Sequence, residues 1–294
     1  VPEYPDIVVY VERLHALIAG QTLRAARLLN PFLLRTVTPT LESLIGHRVT
    51  GVERLAKRVV IGFDNEAFAV LHLMVAGRLR WLAPGAKAPA RITLATFAFD
   101  PGVLVFTEAG SKRRASLHLV PDRAALRALD PGGQDVLALD RDTFAALLTA
   151  ENHTLKRVLT DPHVFSGIGN AYSDEILFAA QLSPLALSQK LSREEITRLH
   201  QATQQTLRDW AERLRAESAN RFPENVTAFR PEMTVHGRYG QPCRVCGTPV
   251  QRVVYAENET NYCARCQTGG KLLADRALSR LLHASWPKNI DELG

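Results

Sequence analysis

Every cysteine of the 294-residue chain falls in one short stretch: Cys243, Cys246, Cys263 and Cys266, in the form C-x2-C-x16-C-x2-C. Two such knuckles can set four thiolates tetrahedrally around zinc, with a β-hairpin between them. Two disulfides or a redox pair are the alternatives, and no other cysteine or thioredoxin-like context supports either. Four protein ligands leave no open coordination position, so the metal is expected to hold shape and do no chemistry. Two further stretches carry candidate chemistry. The chain opens "VPEYPD", where proline and a first-turn carboxylate serve equally as a helix opening and as a reactive terminus. "FSGIGNAYSDEILF" (165–178) places Gly167 and Gly169 in a tight turn just before a helix starting near Asn170. Backbone N–H groups at such a start attract phosphate, although a glycine turn between helices is also an ordinary joint.

The charge balance is +6 and arginine dominates it, with twenty-nine arginines against seven lysines. The planar guanidinium fork suits phosphate, while a GC-rich genome gives the same excess without a polyanion partner. No stretch has the form of a signal peptide, and no apolar run approaches the roughly 18 residues of a membrane span. A soluble, cytoplasmic protein with no membrane partner is expected.

These groups have to be positioned by several folded parts. After an amphipathic helix, "IVVYVERLHALIAG", residues 22–120 form short segments rich in Val, Leu, Phe and Thr, separated by turns such as Asp64-Asn65 and Pro101-Gly102. That pattern predicts an antiparallel sandwich or barrel. From about residue 129 the spacing becomes helical. A long helix is expected from Ser192, capped by the Ser192/Glu195 pair, with a stripe at Ile196, Leu199, Thr203, Leu207, Trp210 and Leu214. Segment 219–235 holds two prolines and is expected to be a linker or mobile loop.

Taken together, the N-terminal Pro-Glu, the β segment, "GIGN" and the four-cysteine unit introduced by "VHGRYGQPC" resemble the Fpg/Nei family of DNA glycosylases. "LHLMVAGRL" (71–79) is similar to a characteristic strand of that family, and "AKRV" (56–59) carries a lysine at the matching place. The resemblance runs from residue 2 to about 267. It implies a multidomain α+β fold: an N-terminal antiparallel β-sandwich with a flanking helix, a helix–two-turn–helix domain and a C-terminal zinc finger, with DNA in the cleft between domains. The expected boundaries are 1–128, 129–235, 236–267 and a helical extension over 268–294, in which Leu272, Leu273, Leu278, Leu281 and Leu282 dock on the zinc unit.

The resemblance also implies roles. Pro2 would be the nucleophile that forms a Schiff base with the sugar of a damaged nucleotide, and Glu3 the carboxylate that handles protons there. Lys57 and Asn170 would contact phosphates, Gly167 and Gly169 would shape the turn before Asn170, and Glu175 and Asp6 would be structural. Met74 matches a side chain that fills the stack when a base leaves it. The partner would be double-stranded DNA with damaged bases or abasic sites, bound by a monomer holding one structural zinc ion.

Several positions depart from the family pattern. Val1 precedes the proline and is taken as an initiator residue that is trimmed. Asn258 stands where the zinc hairpin usually carries an arginine, with Arg252 or Arg265 as nearby substitutes. Arg113 and Arg114 keep the paired arginines of the Fpg "RRFG" motif, but Ala115 replaces its aromatic residue. These differences point to a divergent or Nei-like member. Two functions follow: a bifunctional glycosylase and abasic-site lyase acting on oxidised bases by β,δ-elimination, or a non-catalytic protein of the same fold that binds damaged or abasic DNA.

Overall fold

The computed structural model describes residues 2–110, 112–219, 221–224, 226–227, 229–255, 258–274 and 287–293. Val1 and the expected tail-helix residues Leu278, Leu281 and Leu282 lie outside them. The chain forms two compact units: residues 1–131 with 210–227, and residues 132–209 with 228–294.

In the first unit, α1 (Tyr4–Ile18) opens on a capping box in which Glu3 and Asp6 satisfy each other's backbone N–H. Its buried stripe, Ile7, Tyr10, Leu14 and Ile18, steps by three and four and is completely enclosed. The strands are β1 (Ala25–Leu28), β2 (Val49–Leu55), β3 (Arg58–Phe63), β4 (Phe68–His72), β5 (Gly77–Leu82), β6 (Thr93–Phe99), β7 (Gly102–Glu108) and β8 (Ser116–Val120). They make two four-stranded antiparallel sheets, β1-β6-β7-β5 and β2-β3-β4-β8. Alternation assigns the faces. Val59, Ile61, Leu71, Leu117 and Leu119 meet Leu79, Phe97, Leu104 and Phe106 in the main core, which α1 also joins. Val60, Val70 and Val120 face the other way, towards Leu126 on α2 (Arg123–Arg127).

Strand register gathers three connections at one rim. Leu55 pairs with Arg58, Arg58 with His72 and His72 with Ser116, so the β2–β3 hairpin, the β4–β5 turn and the β7–β8 loop all leave from the same end. Gly77 pairs with Glu108, which sets the latter two connections side by side. The start of α1 reaches this end as well, because the Arg54 guanidinium lies 4.7 Å from the centre of the Tyr4 ring.

The second unit contains α3 (Arg141–Thr149), α4 (Leu155–Thr160), α5 (Asn170–Ala179) and the part of α6 (Arg193–Ser218) before Trp210. α6 begins as expected, with Ser192 N–H on Glu195 and Glu195 N–H on the Ser192 hydroxyl. The hairpin β9 (Gln251–Tyr255) and β10 (Asn258–Tyr262) and the short α7 (Ala264–Thr268) complete it. The chain then returns. Lys271 bridges Asn289, and Ile290 packs with Tyr262, Ala264 and Leu272, with Leu273 against them. Leu272 and Leu273 lie against β10 and α7, but in irregular backbone and not in the helix expected from residue 268 onward, and the contribution of Ile290 was not anticipated.

Among the described residues of 219–235 the chain has no helix or strand and passes from the first unit to the second, as a linker does, but it is anchored, contrary to a mobile loop. Val226 is buried in the sandwich core with Phe222 packed beside it, Met233 is fully buried, and Val235 packs with the cysteines. Apolar side chains at these positions outweigh the entropy favouring a loose loop. Among the described residues, no helix is long and apolar enough to cross a membrane. Replacing Leu14, which is enclosed between α1 and the sandwich, by alanine is expected to remove about 3 kcal/mol of stability, seen as a lower urea midpoint for loss of β-sheet circular dichroism.

Candidate functional site

The four cysteine sulfurs lie within 4.8 Å of one another. Cys243 Sγ is 4.0 Å from Cys266 Sγ, and Cys246 Sγ is 3.4 Å from Cys263 Sγ. A tetrahedron with metal–sulfur bonds of about 2.3 Å has edges of about 3.8 Å, so the cluster has the size for zinc. Each knuckle is braced by backbone hydrogen bonds: Cys243 N–H to the Thr248 carbonyl at 2.8 Å, and Cys263 N–H to Gln267 Oε1 at 2.8 Å. Burial raises the Cys246 thiol, but hydrogen bonds from Thr248 outweigh it and bring the thiol down to about 6, while burial pushes Cys263 up to about 11.

Beside this cluster, α5 carries two adjacent buried carboxylates. Glu175 accepts three consecutive backbone N–H groups, from Thr234 at 2.8 Å, Val235 at 2.9 Å and His236 at 3.0 Å. Asp174 accepts from Lys156 Nζ at 2.5 Å and from Asn261 N–H at 3.0 Å, and lies 2.8 Å from His236 Nδ1. Lys156 also donates to the Asn170 carbonyl at 2.7 Å. Gly167 adopts φ +90°, a backbone open to glycine at little cost, and Gly169 is the N-cap of α5. The Asn170 side-chain amide donates to the Glu259 carbonyl at 2.9 Å, which ties the turn to β10. On the hairpin, Asn258 is exposed at the start of β10. Arg252 is already engaged, 3.0 Å from Glu259 Oε2 and over the Tyr239 ring at 4.2 Å. Arg265 pairs with Asp291.

In the first unit, Pro2 and Glu3 are buried immediately ahead of α1, with the Glu3 N–H on Asp6 Oδ2 at 3.0 Å. Lys57 occupies the β2–β3 hairpin beside Ala56, which has φ +53°. Met74 also has positive φ, +52°, in a turn closed by Gly77 N–H on the Leu73 carbonyl at 2.9 Å. A Cβ at position 77 would stand 2.2 Å from that carbonyl oxygen, so glycine is required there. Arg113 and Arg114 are exposed, and their loop is pinned from below. Buried Glu108 accepts Arg114 N–H at 3.0 Å and Ala115 N–H at 3.2 Å. His72 sits between the hairpin and this loop. Burial, then Arg58, Lys57 and His118, push its imidazole down to about 4.

A model of the formamidopyrimidine-DNA glycosylase N-terminal domain matches residues 1–114, one of the H2TH domain of these enzymes matches 130–219, and one of the zinc finger found in FPG and IleRS matches 240–269. The formamidopyrimidine-DNA glycosylase of Herpetosiphon aurantiacus is 32% identical over 280 residues, 90% of this chain and 99% of its own length. The chain belongs to the Fpg/Nei family. An uncharacterized formamidopyrimidine-DNA glycosylase-like protein of Mycobacterium tuberculosis is 45% identical over 156 residues, 53% of this chain and 95% of its own. The fold is that of Lactococcus lactis Fpg in a complex with abasic-site DNA, with TM-score 0.80 and 22% identity over 90% of this chain and 99% of that one. The four cysteines are accordingly the structural zinc site of an Fpg-type zinc finger.

For this Fpg/Nei member, the rim of the first unit collects Pro2, Glu3, Lys57, Met74, Arg113 and Arg114. The second unit separately collects Gly167, Gly169, Asn170, Glu175, Arg252, Asn258 and the cysteines. The sequence reading passed over His72, Glu108, Asp174, Lys156 and His236. Two carboxylates side by side in an otherwise apolar helix, "SDEILF", were the available signal for Asp174, because a buried charge requires partners. Glu108 gave no such sign, since its partners are backbone groups of an irregular loop.

Chelating zinc from this Fpg/Nei protein is expected to speed hydrogen exchange across 240–268 while the amides of β3 and β4 keep their protection, as measured by mass spectrometry. Glu175→Gln turns one accepting oxygen into a donor facing backbone N–H groups. Exchange at Thr234, Val235 and His236 should rise about a hundredfold, equivalent to roughly 3 kcal/mol.

Proposed function

We propose that the protein is a DNA glycosylase with abasic-site lyase activity, and that the Pro2 nitrogen, freed of Val1, is its nucleophile. The observation that carries this reading is the gathering of Pro2 and Glu3 at the start of α1 with Lys57, Met74 and the Arg113–Arg114 loop at one rim. A terminal amine titrates near 8, and the positive end of the α1 dipole favours its neutral form further. A useful fraction is then nucleophilic at neutral pH. The nitrogen lone pair attacks C1′ of the nucleotide, the C1′–base bond breaks with its electron pair, and the base leaves after protonation. Glu3 is placed beside the amine to move protons at the sugar ring. Loss of the amine proton and opening of the ring give an iminium. Its positive charge acidifies C2′–H, so removal of that proton expels the 3′ phosphate, and a second elimination expels the 5′ phosphate. Water then hydrolyses the iminium, the carbonyl product leaves and the amine is restored.

Lys57 meets a strand phosphate in this reading, Met74 fills the stack vacated by the flipped nucleotide, and Arg113 or Arg114 addresses the orphaned base. Asn170, beside the Gly167–Gly169 turn, provides a phosphate contact from the second unit. Double-stranded DNA with damaged bases or abasic sites is the substrate, and the family relationship and the basic balance of the chain support it.

A second reading, a damage-binding protein that does not cut, is favoured by Asn258 together with the engagement of Arg252 by Glu259 and Tyr239. Borohydride reduction in the presence of an abasic-site oligonucleotide separates the two. Protein shown by mass to begin at Pro2 is expected to yield a covalent adduct on that residue, and Glu3→Gln to slow base release at least a hundredfold. Tight binding without any adduct would establish the binder instead.

A further inference from the structure

A nucleotide that leaves a duplex uncovers the face of the base it was paired with, and an apolar side chain laid on that face recovers part of the lost stacking. The sequence of the β7–β8 loop, "AGSKRRA" (109–115), holds no aromatic residue, and Ala115, where the loop enters β8, is enclosed. A separate segment stands beside it. Residues 29–37 leave β1 and pass the start of β8, with Asn30 N–H on the Leu94 carbonyl at 3.1 Å and Arg35 N–H on the Leu117 carbonyl at 2.9 Å. Between these anchors Pro31–Leu33 makes a 3-10 turn, and Asn30 Oδ1 caps it by accepting Phe32 N–H at 3.0 Å. Leu33 plugs the turn into the sandwich core. Leu34 bridges Leu117 in the parallel sense, so going back along both chains brings the turn to the first residues of β8, next to the Arg113–Arg114 loop. Phe32 is 81% exposed there. Among the described residues of the first unit it is the one exposed aromatic side chain. Leu29 and Val37, at the two ends of the segment, are exposed as well.

We propose that Phe32 is a stacking residue for DNA, whose ring covers the face of the base left without a partner when a nucleotide is extruded at the rim. The inference rests on the DNA-binding reading above. In that reading Met74 fills the gap in the damaged strand, and the unpaired base of the opposite strand still needs a cover. Every nucleobase has a π-face, so an aromatic ring serves whichever base stands there. Arg113 and Arg114, exposed in the neighbouring loop, carry donors suited to base edges and phosphates, whereas Phe32 offers only a face. The turn that holds the ring is ordered at both ends and contains a proline, so little further entropy is lost when a base closes over it. The apolar surface removed from water favours that closure. In intact duplex the faces of a base are covered by its stacked neighbours. Phe32 therefore raises the preference for opened over intact duplex and adds nothing to the general attraction for phosphate.

The test is fluorescence titration of the full-length protein with two duplexes. One carries an uncleavable abasic-site analogue opposite 2-aminopurine, and the other is fully paired, with 2-aminopurine opposite thymine. Phe32→Ala, at an exposed position, should weaken binding of the abasic-analogue duplex about tenfold. Binding of the paired duplex and the slope of log K against log salt should not change, because no phosphate contact is lost. Stacking quenches 2-aminopurine, so its emission in the abasic-analogue complex should be brighter with Phe32→Ala than with wild type, and Phe32→Trp should restore both affinity and quenching. Equal affinity of wild type and Phe32→Ala for the abasic-analogue duplex, equal losses on the two duplexes, or a Phe32→Trp variant no better than Phe32→Ala would each overturn the stacking role while leaving the DNA reading intact. Failure of the wild type to bind either duplex would overturn both.

Discussion

Strand register is the constraint on which the first unit depends. Side chains alternate across a sheet, so a slip of one residue would exchange Leu71 with His72 and Leu117 with His118, sending imidazoles into the core and leucines to the surface. The large apolar cost of that exchange fixes the pairing of Arg58 with His72 and of His72 with Ser116. Three connections separated widely in sequence consequently emerge together, and α1 brings the proline end of the chain to them. The rim residues are placed by hydrophobic packing on the opposite face of the same strands.

The other half is organised by charge. Asp174 and Glu175 are almost fully enclosed, which is tolerable because Lys156, His236, the Asn261 N–H and three consecutive N–H groups of 234–236 are turned towards them. Their partners lie on α4, on the segment 234–236 and on β10, so one turn of α5 fixes the approach to the first cysteine knuckle and the hairpin leading to the second. Zinc closes from one side a structure that the carboxylates close from the other. The same helix starts with Asn170, whose amide reaches the backbone of β10, so a proposed phosphate contact and the metal unit share one support.

Much of this was legible before any coordinates. The cysteine spacing announced the metal, the Ser192/Glu195 pair announced a helix start, and short apolar segments announced the sandwich, because each depends on neighbours in sequence. The mobile-loop reading of segment 219–235 misled for the converse reason. Its prolines and polar residues describe local preference, whereas Val226, Met233 and Val235 are held by partners distant in the chain. Glu108, His236 and Ile290 were opaque in the same way, since their worth lies in what the fold brings to them. Asn258 and Ala115 were visible as departures from the family pattern, and the structure adds that Arg252 is already committed to Glu259 and Tyr239.

Glu108 holds the Arg113–Arg114 loop through its peptide groups. The exposed position 114 could take other amino acids with a backbone N–H and still be gripped in the same way, whereas Ala115 is enclosed in the core. Architecture and side-chain identity are thereby partly uncoupled at a place proposed to meet DNA. Natural variation can rewrite the loop's chemistry while inheriting its shape, so lineages of this fold can diverge in what they recognise without passing through unfolded ancestors.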